Sequence, residues 1–126
     1  IIDQSILIVD DVLLNLKVMK AMCIKAGLKD IVIVNSGKEA LNQLKNKAFD
    51  LVLTDMWMPE MSGDQLAEEI RKHAEYDSIR VFLVTADVEA KVNYNLSNFA
   101  GIILKPVTLD KVNKILQCKS GFLNLL

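Results

Sequence analysis

Residues 50–63 read DLVLTDMWMPEMSG, and the fold turns on how this stretch is divided. The apolar run over 50–54 has the length and continuity of a strand covered on both faces, and it stops at a carboxylate, Asp55. Pro59 and Gly63 then mark a loop, and a helix-period segment follows from about 64 to 74. This is one strand–loop–helix unit of an α/β architecture.

The same unit recurs in both directions. Upstream, residues 5–9 (SILIV) read as a buried strand cut off by Asp10 and Asp11. A helix follows over 12–26, with Leu14, Val18, Met22 and Ala26 at four-residue steps, Met19 alongside, and Gly27 as its stop. Residues 30–34 (DIVIV) form the second expected strand. Ser36 then opens a helix to about 46, with Glu39 at capping-box spacing. Downstream, 79–84 (IRVFLV) is a strand and 88–96 a less regular helix. Residues 101–104 (GIIL) make the fifth strand, broken by Lys105 and Pro106, and 109–117 the last helix. Five strands alternating with five helices predict a doubly wound, five-stranded parallel sheet in a three-layer sandwich. Strand order does not follow from the pattern.

Length and composition narrow the functional classes. At 126 residues the chain reads as one domain, 1–126, with 52% hydrophobic and 25% charged residues. A formal net charge of −1, with basic residues scattered among acidic ones, gives no electrostatic reason to expect nucleic acid or membrane contact. No apolar run approaches a membrane span, and IIDQSILIVDD lacks the basic start and cleavage site of a signal peptide. The start almost on top of the first strand suggests a piece of a longer protein. Cys23 and Cys118 read as buried or half-buried thiols of a reducing, cytoplasmic setting rather than as a disulfide. His73, among charges in RKHAE, reads as a solvated residue near a helix end, and the methionines read as core or loop filler.

In an open α/β sheet, ligands bind beyond the carboxyl ends of the strands. After the first strand come Asp10 and Asp11, after the third Asp55, after the fourth Thr85 and Ala86, and after the fifth Lys105. Taken alone, the acidic pair could simply cap a helix and Lys105 could be a solvated strand end. Together they form a set with one chemistry. Crowded carboxylates repel unless a cation joins them, and Mg²⁺ suits a few carboxylates plus waters and a phosphoryl oxygen. No Gly-rich loop cradles a nucleotide. The set fits one small, highly charged group on a carboxylate, and a phosphoryl group on Asp55 answers that description.

With these residues in place the chain resembles a response-regulator receiver domain of two-component signalling. The resemblance rests on the acidic pair in LIVDD, on LVLTDMWMPEMSG, on the Thr-Ala of LVTAD and on the Lys-Pro of ILKPV. It implies a flavodoxin-like receiver fold, phosphorylation of Asp55, and Mg²⁺ held by Asp10, Asp11, Asp55 and the backbone carbonyl of Trp57. It further implies that Thr85 binds the phosphoryl oxygen, that Lys105 pairs with it, and that Pro59 and Gly63 shape the adjoining loop. The implied partner is a sensor histidine kinase or a histidine phosphotransfer domain. Asn15 and the MWMPEMSG loop look most like receivers of hybrid sensor kinases.

Two features bear on output. Receivers often carry an aromatic residue three positions before the lysine as half of a two-state switch, and that position here is Ile102. An aliphatic side chain cannot swing a phenol between core and solvent. Trp57 and Asp87 flank the expected path of attacking water. The alternatives are a stand-alone single-domain regulator, a Mg²⁺-dependent aspartyl-phosphate phosphohydrolase and a flavodoxin-like redox carrier. The hydrolase needs an acid two residues after its nucleophile, where Trp57 stands, and the redox carrier needs a phosphate loop after the first strand.

Overall fold

The computed structural model describes residues 2–126, so Ile1 lies outside the described residues. Where the sequence runs apolar and β-branched it pairs, giving β1 (Ile2–Val9), β2 (Leu28–Val34), β3 (Leu51–Asp55), β4 (Arg80–Thr85) and β5 (Gly101–Leu104). Between them lie α1 (Leu13–Lys25), α2 (Gly37–Asn46), α3 (Gly63–Arg71) and α4 (Ala90–Asn93), with α5 (Leu109–Gln117) after β5. A 3-10 turn over Ala74–Tyr76 takes up the end of the segment expected as the third helix.

The sheet is parallel, in the order β2-β1-β3-β4-β5 with a further strand, β6 (Leu123–Leu125), beyond β5, so the strand order reverses between β1 and β3. The expected five-stranded sheet has a sixth strand, β6 (Leu123–Leu125), on the outer side of β5. Three residues, LNL, carry too little periodicity to register as a strand in sequence. Their pairing is set by the neighbouring edge.

Alternation along each strand divides the core in two. Ile6, Ile8, Leu51, Leu53, Phe82 and Val84 face α1 and α5, meeting Leu16, Met19 and Cys23 of the first and Val112, Ile115 and Leu116 of the second. Leu7, Val9, Val52, Val81 and Leu83 face the other way, against Ala40 and Leu44 of α2, Leu66, Ala67 and Ile70 of α3, and Ala90. This is the three-layer arrangement a two-sided parallel sheet requires.

Two helices differ from their sequence reading. In α1 the buried stripe is Leu16, Met19 and Cys23, while Leu14 and Val18 of the expected four-residue ladder face solvent. The helix is apolar on several sides, so spacing alone selects no face. In α4 only one turn is regular, because Ala90 is its sole buried residue and Val92 is exposed. Past it, Tyr94 and Leu96 pack partly on the core with Tyr94 already in extended backbone, and helices this short draw their stability from packing. Elsewhere the caps are as read: the Ser36 hydroxyl accepts from the Glu39 N–H at 3.1 Å, and Gly27 takes a positive φ of 100° past α1.

Candidate functional site

Strand register places the site. Val9 pairs with Thr54, so Asp10, the next residue after β1, stands beside Asp55 at the end of β3. Asp55 pairs with Val84, which puts Thr85 one step beyond it, and Thr85 pairs with Leu104, which puts Lys105 one step further again. The residues at or just past the carboxyl ends of four neighbouring strands thus meet at the reversal of strand order, where open α/β sheets bind ligands.

Asp10 is fully buried. Its Oδ1 accepts from the Val12 N–H at 2.9 Å and its Oδ2 from the Asn15 amide at 3.1 Å, so the turn into α1 holds the carboxylate in place. Part of the capping role is therefore real, yet Asp10 also faces the site. Asp11 is exposed, and carboxylate oxygens of Asp10, Asp11 and Asp55 all lie within 4.8 Å of one another. Lys105 Nζ sits 3.1 Å from Asp55 Oδ1 and 3.8 Å from Asp10 Oδ2. Three carboxylates against one ammonium leave a negative excess in a partly desolvated recess, which is the donor set a hard divalent cation takes.

The Asp55 carboxyl is held above its ordinary pKa. Burial is the main cause and Asp10 adds to it, while the hydrogen bond and charge of Lys105 oppose the shift. Around it the backbone is tightly fitted. The Gly63 N–H donates to the Met56 carbonyl at 2.7 Å, and a Cβ on Gly63 would lie 2.2 Å from the Asp55 carbonyl oxygen. Only glycine lets α3 start this close to the end of β3.

Thr85 is buried, and its Oγ1 accepts from the Asp87 N–H at 3.1 Å, which leaves the hydroxyl proton free to be donated. The Thr85 carbonyl accepts from the Lys105 N–H at 2.7 Å. Trp57 is 68% exposed and lies edge-on to Tyr94, ring centroids 6.0 Å apart. Asp87 is engaged in the turn into α4, accepting from the Glu89 N–H and the Asn93 amide, both at 2.9 Å. His73 lies away from the site on the surface, near Glu75 and edge-on to Tyr76, as its setting suggested. Beside Lys105, an apolar hollow of about 380 Å³ is lined by Leu14, Val18, Met19, Val84, Pro106 and Val107.

Two supports of the site were not visible as such in the sequence. Lys111 reaches back from α5 to donate to the carbonyls of Leu104 and Pro106, fixing the turn that aims Lys105. An amine that returns to a loop leaves no spacing signature. In the sequence Asn15 is only a subfamily mark, whereas in the structure it orients Asp10.

A parallel sheet bearing three carboxylates and an ammonium at its reversal point is built as a receiver domain, and the chain belongs to that family. The family model described as the response regulator receiver domain matches residues 6–117. The chain is thus a receiver domain of two-component signalling. It is 31% identical over 121 residues to chemotaxis protein CheY-3 of Vibrio cholerae, covering 91% of this chain and 93% of that one. It is 32% identical over 115 residues to the transcriptional regulatory protein ZraR of Escherichia coli, covering 90% of this chain and spanning only 25% of that regulator's length. In structure it is similar to the receiver domain of sensor histidine kinase PA1611 from Pseudomonas aeruginosa, with TM-score 0.81 and 25% identity, covering 90% of this chain and 94% of that one. That domain has a magnesium ion coordinated in its active-site cleft.

Proposed function

We propose that residues 1–126 act as one phosphoacceptor unit, in which Asp55 takes a phosphoryl group from a partner phosphohistidine. The observation that carries this is the position of the Asp55 carboxylate, 3.1 Å from the Lys105 ammonium and within 4.8 Å of both other carboxylates. In the transfer an Asp55 oxygen bonds phosphorus, the P–N bond to the partner imidazole breaks, and the ring nitrogen keeps the electron pair. Asp10, Asp11, Asp55 and the Trp57 carbonyl would hold Mg²⁺, which supplies charge neutralisation for phosphoryl oxygens. Lys105 neutralises a second oxygen and Thr85 donates its hydroxyl to a third.

The apolar hollow beside Lys105 and the exposed Leu14 and Val18 supply a surface on which the histidine kinase or phosphotransfer partner can seat next to Asp55. Membership of a hybrid sensor kinase is supported by the likeness to the Pseudomonas kinase receiver and by Asn15. A stand-alone regulator is supported by the match along 93% of CheY-3. We assign the module to the cytoplasmic side in either case, and no helix among the described residues is long and apolar enough to cross a membrane. The hydrolase reading lacks its acid, since Trp57 occupies that position.

Acetyl phosphate with Mg²⁺ tests the assignment. Intact-mass measurement should show one phosphoryl adduct on the wild type and none on Asp55→Asn. Lys105→Ala should keep its thermal midpoint within a few degrees while losing at least about tenfold in adduct formation. An adduct that persists on Asp55→Asn would refute the assignment.

A further inference from the structure

Ile102 is completely buried, in the same cluster as Leu83, Ala90 and Phe99. A buried aliphatic side chain at that position carries no signal outward by swinging between core and solvent. The freedom at β5 lies on its other side. β6 pairs with it at only three positions, Gly101 with Leu123, Ile102 with Asn124 and Ile103 with Leu125. A Cβ on Gly101 would stand 2.4 Å from the Leu123 carbonyl oxygen, so the approach of β6 depends on that glycine. The segment entering β6 turns at Gly121, φ +75°, with open space around it.

One side chain clasps this segment. The Arg80 guanidinium, at the start of β4, donates to the Gly121 carbonyl at 2.8 Å, the Lys119 carbonyl at 3.3 Å and Cys118 Sγ at 3.2 Å. Its Nε is buried without a partner, so the clasp is incompletely satisfied and correspondingly weaker. Leu123 and Leu125 are only partly buried, and Phe122 and Leu126 are exposed. Few apolar contacts and a short pairing make β6 the part of the sheet that opens at least cost.

We propose that β6, latched by Arg80, is the element through which a charged group on Asp55 is read out. This rests on the phosphoacceptor reading above. Lys105 follows β5 directly, touches Asp55 and Asp10, and is bonded through its backbone to Thr85. A group on Asp55 draws the Lys105 ammonium and the Thr85 hydroxyl toward it, and the end of β5 moves with them. On one side β5 is held by β4, which is packed in both core clusters; on the other it is held only by β6. The weaker pairing yields, and the β5 edge opens.

Hydrogen exchange on the full chain, with and without Mg²⁺ and beryllofluoride, tests this. Within 123–125 the amides that face β5, those of Leu123 and Leu125, should exchange at least about tenfold faster with the ligand, while those of β1 and β3 do not change. Arg80→Met should show fast exchange at 123–125 without ligand and keep its Trp57 fluorescence response to Mg²⁺. Wild-type protection in that variant would overturn the latch. Leu123→Pro removes the N–H that donates to the Ala100 carbonyl at 2.9 Å, and so releases β6 without touching β4. The ligand-dependent difference at Leu125 should vanish there, and its survival would overturn the proposal. A response at Asp55 and Thr85 with unchanged exchange at 123–125 sinks this inference alone. No response at either place sinks the phosphoacceptor reading as well.

Discussion

Asp55 is a residue the fold does not favour in its charged form. Its pKa is raised by burial and by Asp10, so the ionised carboxylate is less stable in the folded state than in the unfolded one. The sign follows by linkage: the contribution is fully present below the ordinary carboxylate pKa and is lost as pH rises through the raised one. In metal-free buffer, Asp55→Asn should therefore melt a few degrees above wild type at neutral pH, with the gap closing toward about pH 4. Thermal melts across pH check this, and Mg²⁺ should narrow the gap by stabilising only the wild type. Glu60 has a different kind of strain, a positive φ of 68° without being glycine. Glu60→Gly should stabilise by about 1 kcal/mol in urea unfolding. The two thiols should separate cleanly under a thiol reagent. Cys23 is buried and pushed up to about 12 by desolvation, whereas Cys118 is half-exposed, so the native protein should label at Cys118 alone and at Cys23 only on unfolding.

At the level of elements, legibility tracked how much each segment depends on its own pattern. β1 and β3 to β5 were readable because strands buried on both faces must be continuously apolar, and the residues after them were readable because charge cannot continue into the sheet. The face of α1 was not legible, since Leu14 and Val18 are as apolar as Leu16 and Met19 and only the neighbouring sheet decides which pair is covered. The length of α4 was not legible either, because Val92 sits at a helical spacing with nothing to pack against. The junction of β3 and α3 yields a direct test. Gly63→Ala puts a methyl group against the Asp55 backbone, and should cost about 2–3 kcal/mol in denaturant unfolding and weaken the Mg²⁺ response of Trp57 fluorescence. A variant that unfolds at the same denaturant midpoint would show that the loop gives way instead.

For the whole molecule, the site is a product of topology more than of any motif. Asp10 and Asp55 are far apart in sequence and adjacent only because β1 and β3 pair in a register that aligns Val9 with Thr54. The identity of the acidic residues was readable from strand ends; their separations, and the supports from Asn15 and Lys111, came only with the fold. The sixth strand lies where sequence reading is weakest, on a three-residue edge whose pairing is dictated by its neighbour.

That strand has a practical consequence. Because β6 runs parallel to β5 with Leu125 opposite Ile103, Leu126 comes out level with Leu104, on the rim that carries Lys105. At about 4.8 Å per strand, this is only some 14 Å across the sheet from β3. A dye joined there would share the rim with the indole of Trp57, the single tryptophan of the chain. Energy transfer between the two would make the molecule its own ruler, with one end beside the acceptor carboxylate and the other on the strand that closes the sheet.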